Sequence, residues 1–380
     1  MTRIHPHLAA IAGETALNSS RKFQCNSQLV KSSPCEEVPE IAHDNIRIGR
    51  LLGKGGFNNV NEVVLLSKDG TNENRYAIKY LRDSVMKRSD KFEVGSSDLV
   101  NESKLLQHLQ HENIIKLHGI SEGCVAKSYR NDRRFFLILD RLSCSLADKI
   151  KEWRLDEQKL SLSLSNLSRV ISIPRFTGGL SERQQLRLHD RLSSVATPIV
   201  NALQYLHSKN ILFRDLKPAN IGFDANGTVK LFDFGLSREV KKEDRRMTGN
   251  IGSPLWMAPE VALYKKYGFP ADIYSLAYVL WELTTLETPF QGVTRKQHAK
   301  YILVENVRPK VDSRCGSPHI QQLIIDGWAR SPRLRPTLNE FLSVLKSETA
   351  HKLGPDNKDT KTTSLTCLGR ANSSLNARVA

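Results

Sequence analysis

The chain has 380 residues, with 56 Lys and Arg against 40 Asp and Glu for a net charge of +16, and 39% of it is hydrophobic. That length holds one large two-lobed domain or two ordinary ones, with a sizeable soluble core. No apolar run reaches the ~18 residues of a membrane helix, and six dispersed cysteines (Cys25, Cys35, Cys124, Cys144, Cys315, Cys367) with no Cys-x-x-Cys pair read as reduced intracellular thiols.

Residues 1 to about 44 are rich in Ser, Asn and His without periodicity and read as a disordered leader. Within 1–35, Glu14 is the lone acid beside Arg3, Arg21, Lys22 and Lys31, which leaves an organelle transit peptide open. The expected location is otherwise cytoplasmic. Ile46–Leu52, Asn59–Leu66 and Arg75–Leu81 read as three strands joined by Gly-rich or polar turns. A helix carrying Leu99, Glu102, Leu105, Leu106 and Leu109 follows, then strands at Ile114–His118 and Phe135–Leu139. After Leu142 the pattern turns helical, with a short helix at Ser145–Trp153. Residues 155–180 read as an insertion. Ser181-Glu182-Arg183-Gln184 has capping-box spacing and opens a helix that runs past Leu206. Ile221–Phe223 and Thr228–Phe232 flank the turn signal Asn226-Gly227. Helices are expected at Asp272–Thr284, His319–Trp328 and Leu338–Leu345, and residues 347–380 read as a disordered tail.

Chemistry concentrates in a few segments. Gly53-Lys54-Gly55-Gly56-Phe57-Asn58-Asn59-Val60 lies between the first two strands, where glycines let backbone N–H groups approach phosphate oxygens. Asn58 replaces the third glycine of a Gly-x-Gly-x-x-Gly pattern, and Asn tolerates a left-handed backbone. Lys79 sits on an apolar strand, which is costly without a partner. Nucleotide phosphates and Glu102 on the next helix are its natural ones. Phe213-Arg214-Asp215-Leu216-Lys217-Pro218-Ala219-Asn220, followed by Asp233-Phe234-Gly235, gathers the residue types that hold a hydroxyl, a transferring phosphate and two metal ions.

In order and spacing these segments resemble the eukaryotic protein kinases, from about Asn45 to Lys346. Ala258-Pro259-Glu260, Asp272 and Arg335 extend the likeness. Asp-Leu-Lys-Pro-x-Asn resembles the Ser/Thr type, and Trp256-Met257-Ala258-Pro259-Glu260 with Ile273–Leu283 is most similar to its tyrosine-kinase-like branch. The resemblance implies an α+β, two-lobed fold: a small antiparallel β lobe with one main helix (about 45–140) and a larger helical lobe (about 141–346). It implies transfer of the ATP γ-phosphate to Ser or Thr hydroxyls of protein substrates, with Mg²⁺. A pseudokinase that binds nucleotide or acts as a scaffold is the alternative. The scattered basic residues come with no base-reading motif, so no nucleic-acid partner is expected.

The same resemblance assigns roles. Gly53, Lys54, Gly55, Gly56 and Phe57 would cover the phosphates. Val60 and Ala77 would roof the adenine, Leu139 would be the gatekeeper, and Asp140 and Leu142 the hinge. Lys79 would bind the α/β-phosphates and pair with Glu102. Asp215 would accept the substrate proton, Lys217 would stabilise the γ-phosphate, and Asn220 and Asp233 would hold Mg²⁺. Glu260 and Arg335 would form a structural ion pair, and Asp272 would anchor the catalytic loop. Ser253 reads as a structural hydroxyl touching Asp215 and Lys217. Arg214 would receive a phosphate on Thr248, placed there by an upstream kinase. Ala219 stands where some relatives carry a Glu, so no strong preference for basic substrates is expected. Gly222 replaces a bulky floor residue and predicts a roomier pocket, with Cys144 just past the hinge. Phe213 replaces the usual His and is expected to pack against Phe234 and Leu106.

Overall fold

The computed structural model describes residues 37–66, 74–123, 134–170, 180–240 and 251–350. Strands β1 (Glu40–Ile41), β2 (Ile46–Lys54), β3 (Asn58–Leu65), β4 (Arg75–Leu81), β5 (Leu117–Ser121) and β6 (Phe136–Leu139) form one sheet in the order β1-β5-β6-β4-β3-β2. Every pairing is antiparallel except β1 with β5. Alternation along β4 and β6 serves two apolar layers. Ala77, Leu81, Leu137 and Leu139 face the main core, while Ile78, Phe136 and Ile138 join Val63 in a second cluster. Burial on both faces explains the unbroken run Phe135–Leu139.

A four-residue helix, α1 (Asp83–Met86), and an 18-residue helix, α2 (Ser89–Leu106), follow β4. Phe92, Leu99 and Leu106 recur every seven residues along α2 and are all buried. That stripe seats α2 against the sheet and turns Glu102 toward the cleft.

The predicted leader boundary is corrected. Val38 packs on the core, and β1 pairs Glu40 with Ile120 and Ile41 with Ser121. The Ile41 side chain occupies the place where a Cβ on residue 119 would stand, so Gly119 is what admits this strap. The fourth expected strand also shifts, to Leu117–Ser121, and Ile114 instead bridges to Leu231.

The large lobe begins with β7 (Cys144–Ser145) and α3 (Leu146–Val170), a 25-residue helix. It runs well beyond the expected Trp153 and through the first part of the segment read as an insertion; residues 171–179 lie outside the described residues. Then come α4 (Glu182–Arg191) and α5 (Thr197–Ser208), joined by the wide helical turn Leu192–Ala196. Ser181 and Gln184 form the capping box that their spacing predicts. Strands β8 (Ile211–Leu212), β9 (Ile221–Phe223), β10 (Val229–Leu231) and β11 (Arg238–Glu239) carry the loops of the cleft.

Helices α6 (Pro259–Ala262), α7 (Pro270–Thr285), α8 (Arg295–Lys300), α9 (Pro318–Gly327) and α10 (Leu338–Ala350) complete the lobe. Every residue from Ala271 to Thr284 is buried, so α7 is the axis around which the lobe packs. Helix α8 was not expected, although Thr294 and Gln297 cap it with a full capping box. The predicted tail boundary moves as well, since α10 continues to Ala350. No helix among the described residues is long and apolar enough to cross a membrane.

Candidate active site in the interlobe cleft

The site is built by pairing residues from both lobes. Lys79 Nζ lies 2.5 Å from Glu102 Oε2 and 2.7 Å from Asp233 Oδ1. Glu102 Oε1 accepts the Phe234 N–H at 3.1 Å. One lysine thus joins β4, α2 and the Asp233–Gly235 turn. Burial pulls the Lys79 ammonium down, but the Asp233 and Glu102 carboxylates outweigh it and leave its pKa above the ordinary lysine value. Lys79 holds Asp233 below the usual carboxylate range. Glu102, almost wholly buried, is pushed up by desolvation against the pull of Lys79.

Asp233 has a left-handed backbone (φ 68°), and its side chain remains 45% exposed to the cleft. Its carboxylate is therefore open to a cleft ligand as well as to Lys79.

The second cluster lies on the loop after β8. Asp215 Oδ2 accepts from Lys217 Nζ at 2.7 Å and from Asn220 Nδ2 at 2.9 Å. Asp215 Oδ1 is buried and has no hydrogen-bond partner among the described residues. Lys217 Nζ also reaches Ser253 Oγ at 2.7 Å. Of the two contacts expected of the Ser253 hydroxyl, the one to Lys217 is present, and none to Asp215 is seen among the described residues.

This loop is fixed from below. The Asp272 carboxylate, 1% exposed, accepts the N–H groups of Phe213 and Arg214, each at 2.9 Å, and His207 Nε2 lies 2.9 Å away. A buried carboxylate with that many donors is well satisfied. Arg214 has φ 73°, and its guanidinium Nε is buried without a hydrogen-bond partner among the described residues, as is the Tyr267 hydroxyl. Burial lowers the Arg214 pKa somewhat. Both groups line one small cavity with Met257, Val261 and Ser275. Glu260 and Arg335 form the expected ion pair, bidentate at 2.6 and 2.8 Å.

The Gly-rich turn closes through Gly55 N–H to Asn58 carbonyl at 2.8 Å. Asn58 does not use the left-handed region. It opens β3, opposite Leu81. Lys54 ends β2 on the surface, and half-buried Phe57 packs on the main core.

Val60 stands opposite Lys79 and Ala77 opposite Leu139. The Asp140 N–H donates to the Lys116 carbonyl, while its carboxylate turns to His118 (2.7 Å) and Lys230 (3.4 Å). Burial pushes the Asp140 carboxyl up, yet the bonds from His118 and the Lys116 N–H, with Lys230 nearby, hold it below its ordinary pKa. The space expected at Gly222 is not empty. Leu142 and Phe232 fill it, so the prediction of a roomier pocket is overturned. Thr248, with Arg245 and Arg246, lies outside the described residues.

Sequence reasoning missed Asn101. Its Nδ2 donates to the Ser237 carbonyl at 2.9 Å, with the Gly235 and Phe234 carbonyls at 3.4 and 3.5 Å. It also missed Asp98, which meets Arg238 at 3.3 Å. Both tie α2 to the segment after Asp233.

A sequence model of the protein kinase domain matches residues 46–345. Fold, cleft and sequence agree, and the chain belongs to the protein kinase domain family. Among its relatives is the serine/threonine-protein kinase STY17 of Arabidopsis thaliana, 38% identical over 167 residues, covering 44% of this chain and 29% of that protein. The serine/threonine/tyrosine-protein kinase HT1 of the same plant is 38% identical over 152 residues, 40% of this chain and 38% of that one. Vascular endothelial growth factor receptor 3 of Danio rerio is 28% identical over 337 residues, 82% of this chain and 24% of the receptor. The chain thus spans well under half the length of these relatives. Membership of the family implies ATP as phosphoryl donor and proteins as acceptors.

Proposed function

We propose that the chain is an active protein serine/threonine kinase of the tyrosine-kinase-like branch, with its catalytic domain at about residues 45–346 and the 38–41 strap as part of it. The observation that carries this reading is the unpartnered Asp215 Oδ1 beside Lys217, beneath a completed Lys79–Glu102 pair. That oxygen is closed to solvent here, so an acceptor hydroxyl would reach it as substrate binding opens the contact, and would then meet a free carboxylate oxygen, as a proton acceptor in phosphoryl transfer requires. Lys79 would bind the α/β-phosphates, and Lys217 would stabilise the γ-phosphate.

Asn220 and Asp233 fit Mg²⁺, which favours hard oxygen donors and takes much of its coordination from substrate phosphates and water. The Asn220 amide nitrogen is committed to Asp215, which leaves its oxygen for such a role. The ion supplies charge neutralisation on the phosphates when bound. The Gly53–Phe57 turn would cover the phosphates, Val60 and Ala77 the base, and the Asp140 carbonyl and Leu142 N–H its edge. The buried Nε of Arg214 and the Tyr267 hydroxyl support a phosphate-receiving role for Arg214, with Thr248 as the acceptor of an upstream kinase.

Nucleotide titration followed by single-turnover transfer from labelled Mg-ATP to a generic protein acceptor tests the reading. Wild-type protein should bind and transfer, and Lys79→Met should do neither well. Tight nucleotide binding without transfer would point to a scaffold instead.

A further inference from the structure

Residue alternation defines the two walls of the base pocket. Val60 pairs with Lys79 across β3 and β4, and Ala77 precedes Lys79 by two residues, so all three share one sheet face. That face is the one from which Lys79 meets Glu102 and Asp233. On the opposite wall, Ile221 is fully buried in the large lobe. Its neighbours Asn220 and Gly222 therefore point the other way, and Asn220 reaches Asp215. Residue 222 faces the cleft but carries no side chain.

A Cβ on residue 222 would lie 2.6 Å from Leu142 Cδ1, 3.2 Å from Phe232 Cε1 and 3.3 Å from the Cys144 carbonyl oxygen. Real Cβ atoms do not approach carbon at the first of these distances, so a side chain at residue 222 requires the terminal methyl of Leu142 to move. The backbone shows how Leu142 arrives. The Ser143 N–H donates to the Phe223 carbonyl at 2.7 Å, and β7 pairs Cys144 with Phe223 and Ser145 with Gly222. The connector between the lobes is thus laid directly on β9, and its leucine is drawn over the bare backbone.

We propose that Leu142, on the interlobe connector, supplies the apolar floor of the nucleotide-base pocket in place of a side chain at residue 222. Leu142 then serves the base twice, by its backbone at the edge and by its side chain below. The two positions form one steric unit, in which a side chain at residue 222 displaces that of Leu142. The inference rests on the reading of this cleft as the ATP site.

A reciprocal exchange tests it, read by equilibrium titration with a ribose-labelled fluorescent ATP analogue and by the KM for ATP. Leu142→Ala opens the floor and should weaken nucleotide binding about ten-fold, the scale of lost apolar contact in a pocket. Gly222→Leu should weaken it about as much, because the new side chain displaces Leu142. The double variant Leu142→Ala/Gly222→Leu should bind within about three-fold of wild type, since a leucine again covers the floor. Gly222→Ala, a milder intrusion, should show a smaller loss that Leu142→Ala relieves, and it serves if Gly222→Leu does not fold. Circular dichroism melts of each variant separate pocket effects from unfolding. Additive losses in the double variant, or a neutral Gly222→Leu, would overturn the inference while leaving the ATP reading intact. Failure of the wild-type chain to bind the analogue would overturn both.

Discussion

The rings of Phe213 and Phe234 meet edge-to-face, 5.1 Å between centroids at 77°, and neither is exposed to solvent. Phe213 thereby buttresses the turn that places Asp233, while its backbone N–H is held by Asp272 and its carbonyl by the Ser237 hydroxyl. The side chain packs and the backbone positions. What reads in sequence as a departure from a histidine pattern is an apolar contact next to an intact polar set. Phe213→His should keep kcat within about three-fold at 25 °C, while Phe213→Ala should cost roughly 3–5 kcal/mol of stability. Chemical denaturation and steady-state transfer assays check both. Abolished activity in a folded Phe213→His protein would contradict the packing account.

Asn101 should act as a positioning residue. Its amide holds the carbonyls that follow Asp233, and α2 carries it one residue before Glu102. Asn101→Leu keeps the helix but loses that tie. Its kcat should fall about ten-fold with the KM for ATP little changed, and amide exchange at Phe234–Ser237 should accelerate. A change confined to KM would assign Asn101 to nucleotide binding instead.

Glu282 should make stability depend on pH. It is 4% exposed, accepts the Trp256 indole N–H at 2.6 Å, and burial pushes its carboxyl up to about 8. The folded state therefore holds a proton that the unfolded chain releases near pH 4.5. This contribution is complete below that value, is lost as pH rises toward 8, and is flat above it. Glu282→Gln retains the acceptor for Trp256 and should remove the slope between those limits. Urea unfolding followed by tryptophan fluorescence at several pH values measures it. An unchanged slope in Glu282→Gln would assign the titration elsewhere.

The strap at Val38–Ile41 should stabilise the small lobe. It pairs with β5 and covers Gly119. Ile41→Ala should cost about 2 kcal/mol, less than a deep core truncation because Ile41 is only half-buried. A thermal midpoint identical to wild type would show the strap to be passive.

Legibility in the sequence follows the kind of contact. Lys79 on an apolar strand announces a buried ion pair, and the capping box at Ser181 announces a helix start, because side-chain identity carries the information. Asn101 gave no such sign, since its partners are backbone carbonyls that any residue could offer. Gly222 misled for a related reason. A glycine shows where a side chain is missing, but not which neighbour moves into the space. The two-residue strand at Glu40 is too short for periodicity to register. Helix α8 was readable from Thr294 and Gln297, but its six residues give too little apolar repeat to draw notice.

The central claim is that Asp215 accepts the proton of a protein hydroxyl during phosphoryl transfer. The direct measurement is transfer of labelled γ-phosphate from Mg-ATP by wild-type protein and by Asp215→Asn, with phosphoamino-acid mapping of the product. The account predicts phosphoserine and phosphothreonine from wild type, and a loss of at least about 10²-fold in kcat for Asp215→Asn with nucleotide binding retained. Equal rates from both proteins, or no transfer by wild type that still binds ATP, would contradict it.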